Sequence, residues 1–494
     1  ARSSKAMAAL QMPENVEVDR LLHESDAEPP QRRLRAGAAV AATLLAVSAL
    51  LFGGTVSLRH ARLAGVQRLD EEKAKPTSSL PINVKSCTMD GGCADQTLAI
   101  TIDANWRWYH NGAKACEDCT KDDCSKCKHQ EHVDYKGAYG VSVDGDALTL
   151  TKSARLYLLD ASGNEYFIFK LLGKEFAFDI DMSELPCGTN SALYTVEMDK
   201  DGGYPGGARL GTGYCDAQCP KGFKTINGQP DLNNTAQCCN EMDLWEANRR
   251  ATAMTMHPCQ KPGGGDLVGN YACKTAETCN SQGDEGVCDA FGCDVNPYRL
   301  GFQTFYEEDE SSTVTSSKLM TVTTQFVAVD GVLKEVRRTY TQDGKVHELP
   351  PVKFEGEEEF NATLSDEYCL AGSKYYAGGS VTHPTPLERH GGLEAMGKSL
   401  GRGNVLAISL WNDATGHMLW LDGLSGDDPN VPGAVRGPCN HADHSDGLKD
   451  TTVTFSNFRF GDIGSTAGAA ATGPAVVCIL LAAVAALSSA DKCQ

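Results

Sequence analysis

The chain has 494 residues, enough for one very large domain or for two to three ordinary ones. Its formal net charge of −20 argues against nucleic acid or anionic lipid as the main partner, because both are polyanions. A hydrophobic content of 41% is ordinary for a globular protein. We therefore expect a folded domain whose main partner is neutral.

The cysteines are concentrated in the central part of the chain. Of the 20 cysteines, all but Cys478 and Cys493 lie between Cys87 and Cys439. Such a density indicates an extracellular or lumenal domain held by disulfides, whose pairing the cysteine count leaves open. The glycosylation sequons at Asn233 and Asn361 agree with that compartment.

The N-terminal region is predicted to lie outside the folded domain. Residues 1–36 have the composition of a disordered tail, and residues 37–58 are apolar enough to cross a bilayer as a helix. We favour a signal anchor over a cleaved signal peptide, since the preceding region is long and acidic. An anchor would hold the domain at the cell surface or in the secretory pathway, and a cleaved signal would leave it secreted. Residues 59–84 are predicted to be a linker.

Short runs of β type fill residues 85–466, which we predict to form one folded domain. Apolar and polar residues alternate at 147–160, 175–182, 319–329, 404–411, 417–422 and 451–460. Only sheets packed face to face bury that many alternating strands, so we predict an all-β sandwich of two antiparallel sheets with long disulfide-tied loops. Residues 467–494 form a small-residue spacer and an apolar tail, typical of a lipid-anchor signal or a short membrane helix.

A cysteine-rich run from Cys116 to His129 has the paired spacing of a zinc or iron–sulfur site. Only four residues separate its two CxxC pairs, whereas structural zinc sites usually place a longer loop between them. Disulfides among Cys116, Cys119, Cys124 and Cys127 are the favoured interpretation, and no metal site is expected.

The stretch CCNEMDLWEANRR at 238–250 places three carboxylates, Glu241, Asp243 and Glu246, within six residues. Acidic residues on a strand most often mark its solvated face, which is the simplest interpretation of this motif alone. In a regular strand Glu241 and Asp243 share a face, but Glu246 has the opposite parity. A β-bulge would bring all three to one face, and bulges are common beside active sites.

Three carboxyl side chains on one face of a strand could supply both a nucleophile and a general acid. Glycoside hydrolysis needs two carboxyls flanking the scissile bond, about 5–5.5 Å apart for retention and wider for inversion. One carboxylate attacks the sugar while the other carboxyl stays protonated and donates to the leaving oxygen, so their pKa values must differ. We predict a bulge that turns Glu246 toward Glu241, with their carboxyls at the retaining separation.

The longer stretch CCNEMDLWEANRRATAMTMHPC resembles the catalytic segment of the glycoside hydrolase family 7 cellulases, which cut β-1,4-glucan with retention. Similar segments follow the order of that family at 102–111, 192–203, 211–229, 292–301, 409–422, 432–439 and 453–466. The resemblance covers about residues 85–466 and implies a concanavalin-like jelly roll. It further implies that Glu241 is the nucleophile, that Glu246 is the general acid/base, and that Asp243 assists the nucleophile. No cofactor is implied.

The resemblance also implies a cleft that binds cellulose or another β-1,4-glucan. Aromatic faces suit the apolar C–H surface of glucose, and Trp106 and Trp108 are predicted to share one face of a strand. Trp245 is instead expected in the core. The residues implied to line the cleft are Trp106, Trp108, Tyr194, Tyr214, Asp216, Gln218, His257, Arg299, Trp411, Trp420 and Arg436. A core histidine and buried arginine ion pairs are the structural alternatives.

By the same resemblance the remaining cysteines form defined pairs, while the four cysteines at 116–127 pair among themselves. The implied pairs are Cys87–Cys93, Cys187–Cys439, Cys215–Cys239, Cys219–Cys238, Cys259–Cys288, Cys273–Cys279 and Cys293–Cys369. Two of them would tie the catalytic strand to the YCDAQC loop.

One departure from the family bears on the mode of cutting. Segment 230–236 is short where processive cellobiohydrolases carry a long loop that roofs a tunnel, which favours an open cleft and internal cutting. The WEAN spelling and the long region 259–293 resemble the cellobiohydrolase branch, so exo and endo action both stay open, with a slight preference for an open, cellobiohydrolase-like enzyme. The alternative from another class is a catalytically silent glycan-binding surface protein on the same sandwich. We expect a monomer.

Overall fold

The computed structural model describes residues 77–116, 124–273, 279, 286–379, 384–413, 415–443, 448–449 and 451–466. The predicted N-terminal tail and membrane segment, 1–58, and the C-terminal tail, 467–494, lie outside these ranges, as does Cys119. Within the described ranges, no helix combines the length and apolarity that a membrane crossing requires.

Strands dominate the described part of the chain. In chain order they are β1 Leu80–Thr88, β2 Gly92–Ile102, β3 Tyr109–Asn111, β4 Lys114–Ala115, β5 Lys128–His129, β6 Val141–Asp144, β7 Ala147–Leu150, β8 Ala154–Leu159, β9 Ile168–Phe169, β10 Lys174–Asp181, β11 Thr189–Val196, β12 Thr225–Ile226, β13 Gln229–Pro230, β14 Ala236–Cys238, β15 Glu241–Ala247, β16 Thr252–His257, β17 Tyr271–Cys273, β18 Cys293–Val295, β19 Tyr306–Glu307, β20 Val314–Thr315, β21 Met320–Val329, β22 Val332–Gln342, β23 Lys345–His347, β24 Val352–Lys353, β25 Glu359–Phe360, β26 Asn404–Asn412 and β27 Val453–Asp462.

Helices are short by comparison. They are α1 Tyr135–Tyr139, α2 Asp366–Tyr376, α3 Pro386–Arg389, α4 Gly392–Arg402 and α5 Leu419–Asp422, with 3₁₀ turns at Cys124–Lys126 and Ala208–Leu210. Helix α4 packs on β22 through Leu393, Met396 and Leu400, whose spacing puts them on one helix face.

Sixteen of the strands form one continuous hydrogen-bonded sheet. Its order is β18-β16-β15-β11-β26-β8-β2-β1-β27-β10-β21-β22-β23, with β6, β7 and β9 paired off this path. Neighbouring strands run antiparallel throughout the described sheet, except that β1 and β27 run parallel. Parallel pairing of the first and last strands brings the two ends of the domain together.

This sheet folds over on itself into two packed layers. Trp245 of β15 and Phe178 of β10 meet edge to face with ring centroids 6.0 Å apart, although six strands separate β15 from β10 in the sheet order. One apolar cluster joins both layers and includes Met242, Phe326 and Ile408. The predicted β-sandwich is therefore confirmed, with one correction: its layers are a single folded sheet with a parallel pair, because strand twist and coiling let one sheet cover itself.

Five of the six alternating runs contain strands of this sheet, and the prediction for 417–422 is wrong. His417 and Met418 adopt positive φ angles of 54° and 56°, which end the extended chain. Helix α5 follows, and Met418 and Leu421 pack on Ala253 of β16. Alternation over six residues did not separate a strand from a short buried helix.

The predicted linker, 59–84, ends too late. Strand β1 begins at Leu80, and residues 80–85 already pair with 95–100 of β2. Buried Ile82 and Val84 belong to the sandwich core. The last five residues of the predicted linker are therefore part of the folded domain.

Strand β11 is buried on both faces, and it separates the sandwich core from the loops that cover the candidate site. Its Leu193 lies in the sandwich core, whereas Tyr194 and Val196 pack in a second cluster beneath the long loops. The disulfides of the described residues join Cys87–Cys93, Cys116–Cys127, Cys187–Cys439, Cys215–Cys239, Cys219–Cys238, Cys259–Cys288, Cys273–Cys279 and Cys293–Cys369, and those between 215 and 288 cross-link these loops. Cys124 is disulfide-bonded as well.

Candidate active site

The acidic motif forms β15, and this strand contains a bulge. Opposite β11, Tyr194 pairs with Asp243 and Leu193 pairs with Trp245, so Leu244 is the extra residue. The register against β16 shifts at the same place, between Asp243 and Glu246. Leu244 and Trp245 both enter the sandwich core, and Glu246 thereby returns to the face that carries Asp243.

Glu241 lies at the start of β15 beneath the loop that contains Ala217. The Ala217 backbone N–H donates to Glu241 Oε2 at 3.0 Å, and only 6% of Glu241 is exposed. Burial and the charges of Asp243 and Asp216 raise the pKa of Glu241 well above its usual range.

Asp243 lies between the two glutamates and forms a buried ion pair with His257 of β16. His257 Nε2 lies 3.0 Å from Asp243 Oδ2, and His257 Nδ1 lies 2.9 Å from the Asp289 carbonyl oxygen. Burial lowers the pKa of His257, but the hydrogen bond and charge of Asp243 outweigh it and raise that pKa to about 10. A protonated imidazole can donate from both nitrogens, so it fixes the orientation of the Asp243 carboxylate.

Glu246 is held by a residue of the neighbouring strand. Asn190 Nδ2 of β11 donates to Glu246 Oε1 at 2.9 Å, and Asn190 Oδ1 accepts from the Ala247 N–H at 3.1 Å. Burial and the charge of Asp243 raise the pKa of Glu246 to about 8. Glu246 therefore keeps its proton near neutral pH, as a general acid must.

The pKa shifts do not by themselves separate the roles of the two glutamates. Both pKa values are raised, because two buried carboxyls share the field of Asp243. What differs is the hydrogen bonding. Glu241 accepts a backbone N–H, which stabilises a carboxylate, while Glu246 is held only at Oε1 by a side-chain amide among the hydrogen bonds of the described residues.

A row of tyrosines and polar groups continues from Glu241. Tyr194 Oη lies 3.0 Å from Tyr214 Oη, and Tyr214 donates to Asp216 Oδ2 at 2.6 Å. Gln218 donates its backbone N–H to Asp216 and its Nε2 to the Ala290 carbonyl. The structure thus brings these four sequence-predicted residues into one hydrogen-bonded row.

Arg299 and Arg436 lie on the other side, around Asp294 of β18. Arg299 forms an ion pair with Asp294 Oδ1 and covers the ring of Tyr376 at 3.7 Å, while Arg436 Nη1 lies 4.0 Å from Asp294 Oδ2. Asp294 lies opposite Thr255 of β16, which lies opposite Asp243, so this group lies beside the acid cluster in the sheet. The arginines are thus in an ion pair, as the structural alternative held, and they also border the acid cluster.

Comparison with known proteins agrees with this arrangement. The family model "Glycosyl hydrolase family 7" matches residues 71–467. The chain belongs to glycosyl hydrolase family 7. Membership makes the chain a glycoside hydrolase.

Solved structures of this family are similar over almost their whole length. A cellobiohydrolase from Daphnia pulex is 34% identical with a TM-score of 0.71, covering 79% of this chain and 98% of that one. The Humicola insolens endocellulase EGI is 36% identical with a TM-score of 0.67, covering 78% and 98%. A cellobiohydrolase from Melanocarpus albomyces, complexed with cellotetraose, is 33% identical with a TM-score of 0.69, covering 79% and 97%.

The tryptophans of this family 7 enzyme have different settings. Trp245 is fully buried, which confirms the expected core position. Trp411 of β26 and Trp420 of α5 stack with ring centroids 6.2 Å apart and planes inclined by 25°. Both are partly buried against the Met418 and Leu421 cluster, so each keeps exposed ring surface.

Trp106 and Trp108 do not share a face of a strand, so that prediction is wrong. Residues 104–107 form a turn after β2, because Arg107 is buried and donates to the backbone oxygens of Ile102, Gln130 and Glu131. Trp106 Nε1 donates to the Ser153 carbonyl, whereas Trp108 stacks on His110 with ring centroids 4.2 Å apart.

Two residues that contact the site were missed by sequence reasoning. Arg155 of β8 forms an ion pair with Asp103 at 2.9 Å and covers the Tyr214 ring at 3.2 Å. Asn190 holds Glu246. Arg155 occurs in an alternating run and Asn190 at a strand start, so neither carried a chemical signal in the sequence.

Carboxylate and imidazole atoms of Glu241, Asp243 and His257 lie within 4.8 Å of one another, a spacing that a metal ion could use. His257 would first have to lose its proton, which its ion pair with Asp243 opposes. The Asn233 and Asn361 side chains, predicted to be glycosylated, are both exposed.

Proposed function

We propose that this enzyme hydrolyses β-1,4-glucosidic bonds in cellulose and related β-glucans with retention, by double displacement. Glu241 attacks the anomeric carbon, and Glu246 donates a proton to the leaving oxygen and then activates water. Asp243, fixed by His257, orients Glu241. The observation that carries the proposal is the bulge in β15, which gathers one proton-holding and one backbone-bonded glutamate around a single aspartate.

The substrate class is supported by the relatives and by the site. The similar solved structures are named as cellobiohydrolases and endocellulases, one of them complexed with cellotetraose. Partly exposed Trp411 and Trp420 offer faces for glucose rings, and the Tyr194 to Gln218 row offers directional hydrogen bonds.

The short loop between β13 and β14 favours an open cleft that admits internal positions of a chain. Residues 231–235 form a compact turn in which Asp231 accepts the backbone N–H groups of Asn233 and Thr235. We expect the purified enzyme to lower the viscosity of soluble cellulose derivatives early in the reaction, while cellobiose also accumulates. Release of cellobiose with unchanged viscosity would contradict the open cleft, and no soluble sugar from any β-1,4-glucan would contradict the proposed function.

For localisation, the disulfide-linked domain fits an oxidising compartment, and segment 37–58 is proposed to anchor it to a membrane. We expect the activity of the full chain to sediment with membranes and to resist extraction at high pH, whereas deletion of residues 1–58 should release it. Full activity in the culture medium from the undeleted chain would contradict the anchor. A monomer is the proposed oligomeric state.

A further inference from the structure

Phe291 is an exposed aromatic residue in an otherwise buried loop. Its side chain is 53% exposed, whereas Cys288, Asp289, Ala290 and Cys293 are all buried. Exposing a phenyl ring gives no stability from burial, so the position calls for another explanation.

The loop that carries Phe291 is held rigidly. Disulfides fix both of its ends, Cys288 to Cys259 and Cys293 to Cys369. Inside it, the Gly292 N–H donates to Asp289 Oδ1 at 3.0 Å. An exposed ring on a fixed loop loses little conformational freedom when it binds a ligand.

This loop also lies directly against two residues of the site, His257 and Gln218. The carbonyl of Asp289 lies 2.9 Å from His257 Nδ1, and the carbonyl of Ala290 accepts from Gln218 Nε2 at 2.7 Å. Gly292 approaches His257 so closely that an added Cβ would fall 2.6 Å from the imidazole ring. Phe291 thus lies between two residues that contact the site on either side.

The loop leads into β18, which pairs with β16 beside the catalytic strand. Phe291 precedes Asp294 by three residues, and Asp294 lies opposite Thr255, which in turn lies opposite Asp243. Asn296 donates to the Leu421 carbonyl at 3.2 Å, which ties the same segment to the helix that carries Trp420. The loop therefore lies beside the acid cluster and is tied to the helix that carries a tryptophan of the predicted cleft.

We propose that Phe291 is a specificity-determining residue that stacks on a glucosyl unit bound in the cleft beside the acid cluster. The inference rests on the proposed function for the identity of the sugar. Its rigid, exposed ring supplies an apolar face next to hydrogen-bonding groups, the combination that binds a pyranose.

The test measures binding without hydrolysis, in the inactive Glu241→Gln background. We expect Phe291→Ala and Phe291→Leu to weaken cellohexaose binding by about threefold to tenfold by calorimetry, and Phe291→Trp to retain it. Met89→Ala removes a side chain of similar exposure, 58%, in the β1–β2 turn and should leave the affinity unchanged.

In the active enzyme the same Phe291 variants should raise KM for cellohexaose more than they lower kcat. Unchanged cellohexaose affinity in both Phe291→Ala and Phe291→Leu would overturn the inference. Because affinity is measured without turnover, that outcome is distinct from failure of the proposed function, which would appear as a wild-type protein that binds cellohexaose but does not cut it.

Discussion

Glu241→Gln is expected to reduce hydrolysis of cello-oligosaccharides by at least about 10⁴-fold while leaving their binding nearly intact. Glutamine keeps the size of the side chain, and its carbonyl can still accept the Ala217 N–H. It cannot form the glycosyl–enzyme intermediate on which double displacement depends. Turnover of cellohexaose by product analysis and its binding by calorimetry measure the two effects separately.

A matched control is available in the far layer of the sandwich. Glu175 of β10 is also buried, and its carboxylate accepts from Thr466 and from Gln325. Glu175→Gln should retain activity, although some loss of thermal stability is expected. Retention of more than about 1% of wild-type activity by Glu241→Gln would refute the nucleophile assignment. Binding without hydrolysis by the wild type would instead favour the silent glycan-binding alternative.

Loss of the Glu246 proton is expected to have the second largest effect on activity. The folded pKa of this carboxyl is raised to about 8, so the proton that catalysis needs is present below that pH and is lost above it. We expect kcat/KM on cello-oligosaccharides to fall about tenfold per pH unit above that pH, which gives the pH profile an alkaline limb. Glu246→Gln should lower kcat/KM by about 10²–10⁴-fold and abolish the limb.

Substrates whose leaving group needs no protonation distinguish a general-acid role of Glu246 from a structural role. With an aryl cellobioside whose leaving phenolate is stable, Glu246→Gln should release an initial burst equal to the enzyme concentration and then turn over slowly, because water lacks its base. The Asn190 hydrogen bond lowers the pKa of Glu246, so Asn190→Ala should shift the alkaline limb to higher pH. An unchanged limb in Glu246→Gln would assign it to another group.

The raised carboxyl pKa values also mean that the site lowers the stability of the folded protein as the pH rises. A group with a raised folded pKa binds its proton more tightly in the folded state, so its contribution to stability is lost as pH rises through that pKa. For Glu246 this loss extends from its unfolded value up to about pH 8. Glu246→Gln should therefore unfold at a higher temperature than the wild type in mildly alkaline buffer.

Much of the fold was predictable because alternation reports burial directly. The runs that became β8, β10, β21 and β27 bury every second side chain over at least part of their length, as one face of a sandwich requires, whereas β26 is buried on both faces. The run at 417–422 failed because two positive φ angles, which no hydrophobic pattern reports, turn it into α5.

The candidate site was predictable to a smaller degree. Carboxylates at 241, 243 and 246 identified the chemistry, and parity alone required a bulge to unite them. The sequence did not indicate Arg155 or Asn190 because each contacts a residue distant in the chain, Tyr214 in a loop and Glu246 on a neighbouring strand. Their roles depend on strand order, which local sequence does not encode.

The sequence by itself determined the class of fold, the disulfide-linked character of the domain and the chemistry of three acids, because periodicity, cysteine density and residue type are local properties. Tertiary structure alone decided that Leu244 is the bulged residue, that Asp243 forms an ion pair with His257, and that burial holds a proton on Glu246. Those outcomes depend on register and dielectric environment. Both arise only when distant strands pack together and exclude water.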